Sequence, residues 1–473
     1  MKTMDKPTVV HVVNTLEGGG TERALLSLVN AFDHQLLRHM IVPLRQAGCL
    51  SALLSDRVSC RPLHTKGRSP VASVRLARIV RRLEQFPKSC DAPERTNRQQ
   101  PAHQPRRKMP AREIVGTTRL SRHRTKRGSV QKATIIHARN TGCWGDSTLA
   151  HMLCPETHLI LGFHGLETAA PFSRRQKLKA ILALRCGARF TTVSRSGMLQ
   201  LSKQVGIPPN RIDVLPNGVD TDSFKPPSSA QRESTRAAMQ FTDADLVVGT
   251  VGHLTPVKDH QLLLRAFAGV ANQTKRWKLL VVGEGPLHEQ LLQQAHKLGI
   301  HQLVRFTGRR EDVPRLLGCM DLYVCSSRSE GMSNAVLEAM ATGLPIIATN
   351  AGDNATLLRN GVDGAIIPTG DTDRLTKTLH VLSRSPETRR RFAHSARTRA
   401  GTFDFGETVR AYETHYRTIL EGGRHTARGR GPERPDQASR NPLQESPTAD
   451  DNQLADPGQS SHAPDPEVSV SRV

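Results

Sequence analysis

Short apolar runs alternate with amphipathic helical patterns along this chain, and they do so in two separate blocks. In the first, Val9–Val13 reads as a strand, Thr21–Phe32 and Val71–Phe86 as helices, and Thr134–His137 and His158–Phe163 as strands. In the second, the strand-like runs are Leu246–Val251, Lys278–Val282, Val304–Thr307, Leu322–Cys325 and Pro345–Thr349. Helical spacing falls between them, at Gln261–Ala271, Leu287–Leu298 and Ala335–Thr342. Continuous apolar strands alternating with helices predict parallel sheets with both faces covered. At about 150 residues per domain, 473 residues leave room for two such units. The expected fold is α/β: two Rossmann-like doubly wound domains facing a cleft, the first over 1–218 and the second over 219–402.

Two stretches fall outside this pattern. Residues 88–132 hold thirteen Lys or Arg against three acids and no aromatic residue, and 422–473 also lack aromatics. Both compositions predict disorder. The formal charge is +24, which raises a basic nucleic-acid-binding protein as one reading. Aromatic residues make up only 4% of the chain and none interleaves the basic run, so nucleic acid is not the expected partner. No apolar run approaches the ~20 residues of a membrane-spanning helix. Met1–Pro7 leads directly into the first strand without the apolar core of a secretory signal. The eight cysteines include no C-x-x-C pair, which argues against a disulfide framework or a structural zinc site. A cytoplasmic location is expected. Contact of the basic insert with the inner face of an anionic membrane is a further expectation.

Polar and glycine-rich turns gather at the strand ends, where ligands bind in open α/β sheets. Gly18-Gly19-Gly20-Thr21-Glu22 follows the first strand and opens a helix, so its backbone suits close approach to a phosphate. Gly252 and His253 follow another strand, with Lys258 before the next helix as a point charge for phosphate. Gly283-Glu-Gly-Pro286 and Gly308 are further turns of this kind. After the strand Leu322–Cys325, Glu330 precedes a helix start formed by Gly331, Met332, Ser333 and Asn334, and Glu338 follows within that helix. Free amides flanked by two carboxylates suit a diphosphate with a hydroxyl-bearing group at each end. In the first block, His137, Arg139, Asn140 and His164-Gly165 also lie at strand ends.

Together these residues resemble the family-4 retaining glycosyltransferases of the GT-B fold. The resemblance rests on Gly19–Glu22, Phe163-His-Gly165, Pro216-Asn-Gly-Val-Asp220, Val251-Gly-His with Lys258, and Glu330 with Glu338 as an E-x7-E signature. The stretches 137–145 and 162–168 are similar to bacterial sugar transferases associated with exopolysaccharide gene clusters. The resemblance implies that Glu330 contacts the donor sugar and Glu338 the nucleotide ribose. Amides at Met332–Asn334 and Gly19–Gly20, with Lys258, would hold the diphosphate, and His164 would face the sugar from the first domain. His137, Arg139 and Asn140 are acceptor-side candidates, and the helix in 403–421 would return to the first domain.

The implied reaction needs no metal or resident cofactor: a nucleotide diphosphate sugar is the co-substrate, and a glycan or lipid-linked hydroxyl the acceptor. A sugar-nucleotide epimerase on the same fold is the alternative chemistry. The chain departs from the family pattern in three places. His253 stands where Arg is usual, Gly352-Asp-Asn-Ala-Thr356 replaces a Gly-Gly turn followed by Glu, and the basic insert interrupts the link before Ile135.

Overall fold

The computed structural model describes residues 6–65, 70–85, 134–165, 171–271 and 276–422. The basic insert, and the tail beyond Gly422, lie outside the described residues.

Two parallel sheets form the molecule. The first contains β1 (Thr8–Val13), β2 (Arg38–Pro43), β3 (Ser59–Cys60), β4 (Thr134–Ala138), β5 (His158–Phe163), β6 (Arg189–Thr192) and β7 (Ile212–Val214), in the order β3-β2-β1-β4-β5-β6-β7. The second contains β8 (Leu246–Val251), β9 (Trp277–Val282), β10 (Val304–Phe306), β11 (Leu322–Cys325), β12 (Ile346–Thr349) and β13 (Ala365–Ile367), in the order β10-β9-β8-β11-β12-β13. The strand order reverses between β1 and β4 and between β8 and β11. These are the switch points at which an open sheet leaves a crevice.

The central strands are buried because they are largely apolar on both sides; all six residues of β1 are buried, whereas the edge strands β3 and β10 are half-buried. Side-chain parity divides the first sheet's core in two. Val10, Val12, Ile136 and Ala138 pack beneath helices α2 (Pro70–Gln85), α3 (Trp144–Leu153) and α4 (Arg174–Arg185). Val9, Val13 and Ile135 pack on the other face with α1 (Gly20–Ala31) and with Val409, Tyr412 and Tyr416 of the helix Phe405–Gly422.

That last helix therefore closes the first lobe although it follows the second in sequence. Its approach is fastened by the Val219 amide donating to the Phe403 carbonyl at 2.8 Å and the Thr408 hydroxyl donating to the Pro216 carbonyl at 3.2 Å. The two chain crossings between lobes thus run side by side. In the second lobe, Ser333 caps the helix Asn334–Thr342, which stops at Gly343 in the left-handed region, φ 77°. Among the described residues no helix is long and apolar enough to cross a membrane.

Candidate active site

The end of β11 and the end of β8 lie side by side, and their loops assemble the centre of the site. Glu330 is 10% exposed, and its Oε1 sits 2.5 Å from Lys258 Nζ and 2.6 Å from the Ser327 hydroxyl that donates to it. Lys258 is held from behind. Its carbonyl accepts from the Ser326 hydroxyl at 2.9 Å, and the neighbouring Asp259, in the left-handed region at φ 44°, pairs with Arg328 at 2.6 Å. Burial, the largest single effect, would lower the Lys258 ammonium's pKa, but the charge and hydrogen bond of Glu330, together with Cys325, turn the net direction upward. The Lys258 side chain passes over Gly252; His253 beside it is exposed.

The helix start next to this pair is only partly capped. The Ser333 hydroxyl accepts from the Val336 amide at 3.5 Å. Among the described residues no backbone acceptor is recorded for the amides of Gly331, Met332 and Asn334. Met332 is anchored by Asn217, whose side-chain amide donates to the Met332 carbonyl at 3.0 Å. Glu338, one turn into the helix, is half-buried. Burial pushes its carboxyl up to about 7, against the pull of Arg23 from α1 in the first lobe.

The first lobe meets this centre through backbone. A Cβ on Gly165 would lie 3.0 Å from the Gly331 nitrogen, and one on Gly331 would lie 2.5 Å from the His164 carbonyl oxygen. Gly165 has φ 108°, so glycine serves both the conformation and the close approach. His164 is half-buried; burial and the nearby Arg139 guanidinium push its imidazole down to about 3. It is therefore a neutral ring at ordinary pH. At the second contact, Gly19 caps α1 and Gly20 is its first residue. Gly18 lies against the guanidinium of Arg309, which also donates to the Glu17 carbonyl. Arg309 follows Gly308, whose carbonyl accepts from the Gly283 amide at 2.9 Å.

Not every sequence candidate reaches the cleft. His137 is fully buried inside the first lobe, with Nδ1 2.9 Å from the Tyr416 hydroxyl and Nε2 3.2 Å from the Thr191 hydroxyl. Its odd position on β4 turns it toward the returning helix. Arg139 is 2% exposed and lies over the Tyr412 ring at 5.1 Å. Both hold that helix in place, which corrects the expectation of an acceptor-facing role. Asn140 is half-buried, with a side-chain oxygen that has no partner among the described residues.

The sequence reading missed Ser327, Arg309, Arg23 and Asp353. The Asp353 carboxylate accepts from the Arg195 and Ser196 amides of the first lobe at 3.0 and 3.1 Å. Its only signal in the sequence was its place in the divergent turn after Gly352.

Residues 18–223 match the family model Glycosyltransferase Family 4, and residues 231–399 match Glycosyl transferases group 1. These two matches, separated only by residues 224–230, fall one on each lobe and carry the assignment. The chain belongs to the family-4 glycosyltransferases. This family-4 glycosyltransferase is similar to a D-inositol 3-phosphate glycosyltransferase of Mycobacterium sp. (strain KMS), 36% identical over 39% of this chain and 42% of the relative. It is also similar to the Escherichia coli UDP-Gal:alpha-D-GlcNAc-diphosphoundecaprenol alpha-1,3-galactosyltransferase, 28% identical over 53% of this chain and 66% of that protein. The chain spans about half the length of the curated relatives it matches. Among solved structures, Anabaena Alr3699/HepE in complex with UDP and glucose aligns over 87% of this chain and 100% of its own, with TM-score 0.69 and 18% identity. The likeness is one of fold, and the fold is GT-B.

Proposed function

We propose that this chain is a retaining, metal-independent glycosyltransferase that moves a sugar from a nucleotide diphosphate sugar to a hydroxyl acceptor. The observation that carries the reading is the Lys258–Glu330 pair at 2.5 Å, set beside open helix-start amides and against the backbone of the other lobe. The difficulty of the reaction is negative charge gathering on the departing diphosphate. Amides at Gly331–Asn334 and the ammonium of Lys258 are fixed before that charge develops, so little reorganisation is required. One Lys258 proton is engaged by Glu330, which leaves two donors for phosphate oxygens.

In this reading Glu330 accepts from hydroxyls of the donor sugar and Glu338 from the ribose. Gly19, Gly20, Gly252, His253, Gly308 and Ser333 line the donor's path. His164, as a neutral ring, hydrogen-bonds the sugar rather than acting as an acid. The acceptor hydroxyl attacks from the face the diphosphate leaves, and a departing phosphate oxygen takes its proton. Contact between the lobes at Gly165 and Gly331 keeps water from competing. The acceptor is a glycan or a lipid-linked glycan, for which the diphosphoundecaprenol in the name of the E. coli relative gives support. The setting is cell-surface glycan synthesis, such as exopolysaccharide, at the inner face of the cytoplasmic membrane.

The test is turnover of a panel of nucleotide sugars by the full chain and by Glu330→Gln, with and without a chelator, and NMR of the product's anomeric centre. Retention, indifference to chelator and a loss of at least about 100-fold in Glu330→Gln are expected. Inversion, or full activity in the variant, would overturn the reading.

A further inference from the structure

We propose that the outer face of α2, α3 and α4 docks on an anionic lipid bilayer. The three helices lie side by side on one face of the first sheet. Arg81 donates to the Leu153 carbonyl at 2.8 Å, the Ser73 hydroxyl donates to Asp146 at 2.9 Å, and Lys179 of α4 covers Gly145 of α3. The opposite face of the same sheet is covered by the helix Phe405–Gly422; no described element covers this one.

Each helix turns an apolar stripe outward. On α4, Leu178 is 68% exposed and is joined by Ile181 and Leu182. On α3, Leu149, Met152 and Leu153 are exposed at i, i+3 and i+4, and on α2 Val71 and Val74. Single exposed apolar residues are ordinary, but among the described residues eight of the fourteen exposed large apolar side chains lie on these three packed helices, which is not.

The charge of the rim chooses the occupant. Arg174 and Arg175 stand before the α4 stripe and Arg185 after it, all exposed. Along α2, Arg75, Arg78, Arg81 and Arg82 are exposed. The acids nearby whose side chains are described are Asp146, taken up by Ser73, and Glu156. Two copies meeting through this face would bring arginines against arginines. A bilayer offers acyl carbon to the leucines and phosphate to the guanidinium groups, the pairing that interfacial helices use. The helices then lie on the surface rather than crossing it. This inference rests on the first lobe's outer face and not on the donor site, so it survives or fails independently of the proposed chemistry.

The experiment uses the full chain with vesicles of phosphatidylcholine alone or mixed with phosphatidylglycerol. Sedimentation gives partitioning, and Leu178→Trp reports whether this face enters the bilayer, since Trp144 and Trp277 are both buried. Expected are binding to the mixed vesicles only, a blue shift of Leu178→Trp emission on binding, and about tenfold weaker partitioning in Leu178→Glu/Ile181→Glu. Equal binding to neutral vesicles, or no emission shift while the protein is bound, would overturn the proposal; the latter would leave the basic segment 88–132 as the attachment. A dimer that Leu178→Glu dissociates without lipid would give the face to a second copy and overturn it too. The tryptophan variant keeps the test available should the charged variant not fold.

Discussion

Acidification should loosen the first lobe through histidines that the fold keeps neutral. His11, His39 and His137 are fully buried. His11 Nε2 lies 3.1 Å from His39 Nδ1, and the His39 ring stacks on Phe32 at 4.3 Å between centroids. Burial, with His34 as a like charge, pushes His39 down to about 3. Burial also pushes His11 and His137 well down, with His39 and Arg139 adding at His11 and Arg139 at His137. A lowered histidine binds its proton more readily in the unfolded chain. The stability it lends is complete above about 6.5 and is lost as pH falls from there toward 3. At about 1.36 kcal/mol per unit, a fall to pH 5 costs about 2 kcal/mol for His39, and His11 and His137 add costs of the same sign. The His39 share alone is a sizeable fraction of the marginal stability of a domain. The assay is urea unfolding of wild type and His39→Gln from about pH 8 to about pH 5, the glutamine keeping a partner for His11. The variant starts lower because it loses its stack on Phe32, and the gap should narrow by about 2 kcal/mol by pH 5. Parallel curves would refute the reasoning, since they would mean that His39 does not resist protonation in the fold.

Lys258→Met leaves the Glu330 carboxylate nearly buried without its cation, and urea unfolding should report a loss of about 2 kcal/mol, largely recovered in Lys258→Met/Glu330→Gln. Glu338 titrates near 7, and its carboxylate accepts more hydrogen bonds than its acid. Calorimetric affinity for a nucleoside diphosphate should therefore rise between pH 6 and pH 8, by up to about tenfold, and be flat in Glu338→Gln. Asp353→Ala removes the acceptor of two first-lobe amides; hydrogen exchange at Arg195 and Ser196 should quicken about tenfold, and the radius of gyration should grow.

The glutamate pair, Lys258 and the glycine turns were legible in the sequence because each sits at the end of a strand whose apolar run marks it. The strands Arg38–Pro43, Arg189–Thr192, Ile212–Val214 and Ala365–Ile367 were not: Arg, His, Thr or Asp breaks the apolar run in the first three, and the last is three residues between Gly364 and Pro368. Nor was the returning helix's hold on His137, because a histidine near a strand end reads the same whether it faces a ligand or Tyr416.

The alternation of apolar runs with helical patterns is written residue by residue, so the chain alone determined two doubly wound sheets and the strand ends that carry chemistry. Which loops meet is a matter of how two rigid lobes are set against each other. Arg309 reaching the Gly18 turn, Asp353 capping the first lobe's amides and Gly165 touching Gly331 join residues more than 150 positions apart. No local pattern encodes such contacts. They arise only when the Phe405–Gly422 helix packs back on the first sheet and fixes the lobes together.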